Sequence, residues 1–149
     1  MTTRLLIALG TAVMLNGCAH APRGEASIEE WSQNHPVASQ ELGVWVQNHP
    51  AAAAKFFEWD GHHPDRAHEF VTWTIYHPNQ PIEGFVATHP GWQYFDQIAL
   101  HHRPGADAFM AWCRRHPQPA ERLMSHPGGL DWAGRHLYAS SWHMEQPAQ

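Results

Sequence analysis

The side chains with the widest chemical repertoire in this 149-residue chain are its fourteen His residues. Imidazole is a common ligand for transition metals in proteins and for haem iron. Several His residues and one Cys fall into short local groups that could supply ligands to such a cofactor. These candidates are His62, His63, His68, His101, His102, Cys113 and His116.

The spacing of these residues favours a structural role instead. A metal site formed on one helix needs His pairs three or four residues apart, with a third ligand close by. No two His residues of the sequence have that spacing, and Cys113 with His116 supplies only two ligands. We therefore expect no cofactor and keep a transition metal or haem as the alternative.

Most of the His residues belong to a sequence repeat. A segment of Pro, twelve residues and His recurs three times without a gap, over residues 36–49, 50–63 and 64–77. In each copy an apolar residue stands seven positions before the His, and a Trp stands four positions before it. This spacing places all three side chains on one face of a helix.

Less regular copies precede and follow these three. The first is shortened at its front and begins with a capping box of Ser27 and Glu30. Three more copies follow residue 78, and the degenerate copies over residues 117–136 are typical of the capping end of an array. We interpret the following residues of the seven copies as structural: Trp31 and His35, Trp45 and His49, Trp59 and His63, Trp73 and His77, Phe85 and His89, Ile98 and His102, and Trp112 and His116.

Each copy is predicted to form one helix. Pro suits the first helical turn, and a residue that precedes Pro is pushed out of the helical region, so each helix should end at its His-Pro corner. The expected length is about ten to twelve residues, too short for a helix to be stable alone in water. The helices must therefore pack against one another.

The predicted fold class is all-α, in one domain over residues 27–144. We expect consecutive helices to pair as αα-hairpins, with a two-helix period of 28 residues, and to stack into a small right-handed α-solenoid or a curled helical bundle. The runner-up is an irregular globular bundle in which the repeat is only local. Residues 145–149 are predicted to form a disordered tail.

Two interpretations are open for each repeated residue type. The Trp residues at strict helical period are expected to form the core, and the alternative is an exposed aromatic ribbon that stacks on sugars or bases. The His residues are expected to end one helix, to cap the next through a ring nitrogen and to stack on the Trp four residues earlier. The alternative for the His residues is metal binding.

The first eighteen residues resemble a bacterial lipoprotein signal. Arg4 supplies a positive charge, residues 5–15 form a short apolar run, and residues 15–18, Leu-Asn-Gly-Cys, resemble a lipobox. The apolar run is too short to cross a bilayer. The resemblance implies that Cys18 is lipidated.

The same resemblance implies how the chain is processed and where it lies. Residues 1–17 would be removed as a signal peptide, and residues 18–26 would tether the lipid to the folded domain. Ala19 follows the lipidated Cys, and by the sorting rule of that family this implies a lipid anchor in the outer membrane, on its periplasmic face. Cys113 would then be the only free thiol in an oxidising compartment.

Charge and motifs exclude several classes of function. The net charge is −5 with His neutral, and removal of Arg4 with the signal leaves eight basic against fourteen acidic residues. We therefore expect no nucleic-acid ligand. The motifs of nucleophile elbows, phosphate loops and covalent haem attachment are missing from the sequence, so we do not expect an enzyme. Arg114 and Arg115 are expected to be solvated.

The function expected from the sequence is binding. Helical arrays offer extended surfaces and commonly act as interaction modules. We therefore expect a lipid-anchored scaffold or protein-binding module of the bacterial envelope, with a protein partner and a membrane contact through its anchor. The alternative is a periplasmic metal- or haem-binding lipoprotein that uses its His residues.

Overall fold

The computed structural model describes residues 27–144, with side chains at all of these positions except 93 and 137–144. This part of the chain contains helices and no strands, which confirms the all-α class. The helices are α1 Ile28–Asn34, α2 Pro36–Asn48, α3 Pro50–His62, α4 Pro64–Tyr76, α5 Ile82–Thr88, α6 Gln93–His101, α7 Arg103–Arg115, α8 Pro117–Met124 and α9 Gly129–Met144.

The corners between regular copies are single His residues. At His35, His49, His63, His77 and His116 the backbone leaves the helical region, with φ between −137° and −123° and ψ between 56° and 63°. Each His N–H donates to the carbonyl of the Trp four residues earlier, at 2.7–3.0 Å. Except at His77, the His carbonyl accepts the first hydrogen bond of the next helix. Since the next helix begins at Pro itself, the regular helices reach 13 residues, slightly more than predicted.

The irregular copies give shorter helices. α5 has only seven residues and begins at Ile82, after a turn at residues 78–79 and an extended Pro81 that is its N-cap. Pro90 begins the next copy, and the repeat predicts it in the first turn of a helix. The helix begins later, at Gln93, because Gly91 adopts a positive φ of 90° and forms a turn with its neighbours. These two copies therefore interrupt the regular series of 13-residue helices in the middle of the chain.

Helices that are distant in sequence pack against each other. α9 packs on α2 and α3, α8 packs on α4, and α1 packs on α8, so the two ends of the described chain meet. α2 and α7 are antiparallel neighbours, because the end of each helix lies at the start of the other. The arrangement matches the curled helical bundle among the predicted architectures.

The core is built from the apolar residue seven positions before the His of each copy, and these side chains belong to a single buried cluster. Ile28 of the shortened first copy is 8% exposed, and the other six are at most 1% exposed. The six are Leu42, Phe56, Phe70, Ile82, Phe95 and Phe109. The periodicity of the sequence therefore identifies the buried face of each helix correctly.

Several predicted features lie outside the described residues: the signal peptide over 1–17, the lipidated Cys18, the tether over 18–26 and the tail over 145–149. Within the described part of the chain, none of the helices combines the length and apolar character that crossing a bilayer requires.

Candidate functional site

The repeated Trp residues mainly join distant helices. Trp31, Trp45, Trp59 and Trp112 are at most 4% exposed, as the core interpretation predicts, and Phe85 and Ile98 are also buried at the same repeat position. Three indole N–H groups donate to backbone carbonyls of other helices. These bonds run from Trp31 to Pro119 (2.9 Å), from Trp45 to Gly105 (2.8 Å) and from Trp112 to Ala38 (3.0 Å).

The three carbonyl acceptors occupy one repeat position. Ala38, Gly105 and Pro119 are each the third residue after a corner His, in the first turn of a helix. At Gly105 the backbone approaches α3 so closely that a Cβ atom would lie 2.3 Å from the Cβ of Ala52. Each Trp therefore fixes the end of its own helix against the start of another.

Trp73 is the exception among the regular copies. It is only half-buried, and its ring packs against Phe85 of the short helix α5, with centroids 5.3 Å apart. The ring of His77 stacks on Trp73 with centroids 4.7 Å apart and planes within 16°. His77 is itself exposed. The three rings therefore extend from buried Phe85 through half-buried Trp73 to His77 at the surface.

The His residues end helices as predicted, but they do not cap the next helix with their rings. No side-chain capping bond is formed at the described His residues that directly precede a helix, namely His35, His49, His63, His102 and His116. At these corners the backbone N–H and carbonyl of the His connect the two helices instead.

The His rings turn back toward the helix that they end. His77 donates from Nδ1 to the carbonyl of Trp73 at 2.8 Å, and His89 does the same to Phe85 at 2.9 Å. Close stacking on the Trp four residues earlier, as predicted, occurs at His77, where the centroids are 4.7 Å apart. The rings of Trp31 and His35 and those of Trp112 and His116 are instead tilted, with centroids 5.9 and 6.0 Å apart. Two further pairs stack closely, at 3.9 and 4.1 Å: Phe85 with His89, and Trp132 with His136 of the degenerate end.

The residues proposed as metal ligands are not brought together. Among the described residues, no three His, Cys, Asp or Glu side chains form a group that could hold a metal ion. His62, His68 and His101 are exposed, and His63 and His102 are half-buried.

Cys113 and His116, considered above as two ligands of one metal site, lie in different environments. Cys113 is fully buried, and this burial raises the pKa of its thiol far above the usual range. His116 instead pairs through Nε2 with a carboxylate oxygen of Glu41 at 2.7 Å.

A groove of about 420 Å³ lies between the antiparallel helices α2 and α7, and we call it the α2–α7 groove. Its lining comes largely from matched repeat positions on the two helices, counted back from His49 and His116. The pairs are Glu41 with Ala108, Val44 with Ala111, Trp45 with Trp112, and Asn48 with Arg115; His49 completes the lining. The groove therefore has approximate two-fold symmetry.

The two-fold symmetry of this groove is broken by its charges. Glu41 accepts hydrogen bonds from His116 and Arg115, and the bond from His116 is the main reason why the pKa of Glu41 lies below its usual range. The middle of the groove is apolar, and Val44 is 47% exposed there. The groove is thus apolar in the middle and charged at one end.

A second groove, of about 400 Å³, lies on the surface of α4 beside α5, and we call it the α4–α5 groove. Its lining combines aromatic rings with hydrogen-bonding groups. The lining residues are His68, Glu69, Thr72, Trp73, Tyr76, His77 and His89. Tyr76 is 69% exposed.

The corner beside the α4–α5 groove is held by Arg114 of α7. Its guanidinium donates to the carbonyls of Thr74 (3.3 Å), His77 (3.1 Å) and Gln80 (2.6 Å), and so caps the end of α4. The expectation that Arg114 is solvated is therefore wrong. Only Arg115 of the basic pair is mainly exposed.

Both grooves contain a residue whose type departs from the repeat. The position just before each corner His is Asn34, Asn48 or His62 in the first three copies, and Tyr76 places a large aromatic ring at this polar position. Val44 likewise places an apolar side chain at a position on the outer face of its helix. Departures from the repeat, rather than the repeat itself, mark the candidate binding residues.

A scan of protein-family models and searches of curated proteins and of solved structures find no match to this chain.

Proposed function

We propose that the protein is a lipid-anchored binding module of the bacterial envelope, which holds a segment of a partner protein in its α2–α7 groove. The anchor is Cys18, in the outer membrane and facing the periplasm. The residues that resemble a lipoprotein signal support this location, and the tether over residues 18–26 would leave the bundle free to meet its partner.

The α2–α7 groove is the observation that carries the proposal. The repeated Trp and His residues are used by the fold, in bonds between helices and at corners. The side chains of this groove that do not belong to the repeat form an apolar middle next to the charged group of Glu41 and Arg115.

Such a groove suits an extended peptide segment. An apolar side chain of the partner would cover Val44, which is 47% exposed, and the polar ends would bind the peptide backbone or a charged side chain. A buried apolar anchor with a polar rim is the usual composition of a protein interface.

The test is site-specific photocrosslinking in cells. A photoreactive residue at Val44 should give a crosslink to one partner, whereas the same residue at Val37, which is 60% exposed on the same helix, should not. The partner, once identified and purified, should bind the wild-type protein and Val37→Arg, and it should lose binding to Val44→Arg. Equal crosslinking at both positions, or binding unchanged in Val44→Arg, would contradict the proposal.

The competing metal-carrier hypothesis has its own test. Calorimetric titration of metal-free protein with Cu²⁺, Zn²⁺ and haem should show no stoichiometric binding tighter than about 1 μM. Tighter binding that is lost on replacement of His62, His63, His101 and His102 would favour the carrier over the scaffold.

A further inference from the structure

We propose that the α4–α5 groove is a saccharide-binding site that accepts a pyranose ring. The site is separate from the α2–α7 groove, and the proposal stands or falls independently of the protein partner. It rests on three features: an exposed aromatic surface, unfilled hydrogen-bonding capacity and mixed charge.

The aromatic surface is the first feature. The stack of Trp73 and His77 ends in the exposed His77 ring, and the neighbouring Tyr76 is 69% exposed. Among the Trp residues of the regular copies, Trp73 alone is only half-buried. Pyranose rings present a flat face of C–H groups, and an aromatic ring is the side chain that packs best on such a face while tolerating nearby polar groups.

Unfilled hydrogen-bonding capacity is the second feature. The Nδ1 atom of His77 faces the Trp73 carbonyl, which can only accept, so the proton is on Nδ1 and Nε2 of the neutral ring is an acceptor. Glu69 uses Oε1 to pair with His89 at 3.0 Å, and its Oε2 is available because the side chain is 55% exposed. The Thr72 hydroxyl can donate or accept. These groups match the hydroxyls at the edge of a sugar ring.

Mixed charge is the third feature, and it disfavours the other common ligands. The carboxylate of Glu69 disfavours an anion, and its pairing with His89 leaves less negative charge to attract an organic cation. A nucleic acid would also meet a chain of net charge −5. A neutral ligand with an apolar face and many hydroxyls is the class that remains, and about 400 Å³ is in the usual range for a small-molecule site.

The experiment is a titration of the purified protein with cellotriose and chitotriose, followed by saturation-transfer NMR and calorimetry. These probes separate a plain hexose from an N-acetylated one. We expect at least one of them to bind with a Kd of about 1 mM or tighter, with saturation transferred to the C–H protons of one ring face.

Variants locate the site. Tyr76→Ala should weaken binding about tenfold or more, since one aromatic stacking contact contributes on that scale, and Glu69→Gln should weaken it about threefold to tenfold. The matched control is Leu100→Ala, which removes another exposed apolar side chain, 74% exposed on α6, and should leave the affinity unchanged. Circular dichroism should show that all three variants are folded, because the replaced side chains are at the surface.

Two outcomes would overturn the proposal: neither trisaccharide binds at about 5 mM, or binding is unaffected by Tyr76→Ala. If both sugars fail, adenosine, used as a flat aromatic probe, shows whether the groove takes an aromatic ligand instead.

Discussion

The α2–α7 pair and the α4–α5 corner use the same repeated Trp in opposite ways. In the pair, Trp45 and Trp112 are buried and donate reciprocally to the first turn of the facing helix. At the corner, Trp73 is half-buried, stacks on His77 and contributes to a surface groove. One motif thus builds the core in one region and a candidate ligand surface in another.

The difference arises from the length of the following copy. α2 and α7 are both 13 residues long, so the Trp near the end of each reaches the start of the other. The copy after Trp73 is shorter, and α5 has only seven residues, with Gly84 next to the Trp73 ring. A short helix with Gly at its contact covers less of the indole, and the remainder faces the groove.

The largest expected effect is on Trp112. Trp112→Ala should lower the free energy of unfolding by about 3–5 kcal/mol, because it leaves a large cavity and removes the bond to Ala38. Trp73→Ala is the matched comparison and should cost about half as much or less, since the ring is partly in solvent already. Denaturant unfolding measures both; equal losses would contradict the distinction between the two regions.

Asp60 forms a hydrogen bond between distant helices, as the buried Trp residues do, but through a carboxyl group that can ionise. It is 1% exposed and accepts a hydrogen bond from the backbone N–H of Leu130 at the start of α9, at 3.1 Å. Burial is the main reason why its pKa is raised from 3.8 to about 6. The folded state therefore holds the proton more tightly than the unfolded state does.

Because the pKa of Asp60 is higher in the folded state, its contribution to stability depends on pH. As pH rises from about 4 to 6, the unfolded carboxyl ionises first and the fold loses stability; above pH 6 the full cost is present. Asp60→Asn keeps the acceptor without the charge and should be about 1–2 kcal/mol more stable than wild type at pH 8, with the gain disappearing near pH 4. A gain from Asp60→Asn that persists at pH 4 would contradict the assignment.

Arg114 links the two regions, since it belongs to α7 and caps the end of α4. Arg114→Gln should cost about 1 kcal/mol or somewhat more, because three carbonyls lose their donor. It should also weaken saccharide binding severalfold, although Arg114 does not line the groove. The neighbouring Arg115→Gln removes only an exposed ion pair to Glu41 and should cost under ~0.5 kcal/mol. Similar costs for both variants would show that the capping bonds contribute little.

The smallest expected effect is at His63. His63→Asn should change stability by less than ~0.5 kcal/mol, since the corner is made by the backbone and the ring forms no capping bond. His77→Asn should cost more, about 1 kcal/mol, because its ring bonds to the Trp73 carbonyl and stacks on the indole. Thermal unfolding of the two variants tests this; a large loss for His63→Asn would imply a buried role for that ring.

Much of the fold follows from local rules in the sequence. Pro at the first turn and His before the next Pro give the helix boundaries, and the apolar residue seven positions before each His gives the core. These features depend on residues close together in the chain, so periodicity and backbone sterics are sufficient to predict them.

The contacts between distant helices could not be predicted in the same way. Nothing near Trp45 in the sequence indicates that Gly105 accepts its N–H, or that Asp60 reaches Leu130 across 70 residues. The candidate grooves depend on such pairings. The symmetry of the α2–α7 groove becomes visible only when the two helices are known to be antiparallel, although the exposed Tyr76 could have been noticed as an exception to its repeat position.

Hydrogen exchange of the indole N–H groups tests the central claim most directly, namely that buried Trp residues bind distant helices while Trp73 is left to a surface groove. The indole signals would be assigned by single Trp→Phe variants and followed by NMR. The N–H groups of Trp31, Trp45 and Trp112 should exchange about 100-fold or more slowly than that of Trp73. Equal protection of Trp73, or rapid exchange at Trp45 and Trp112, would contradict the account.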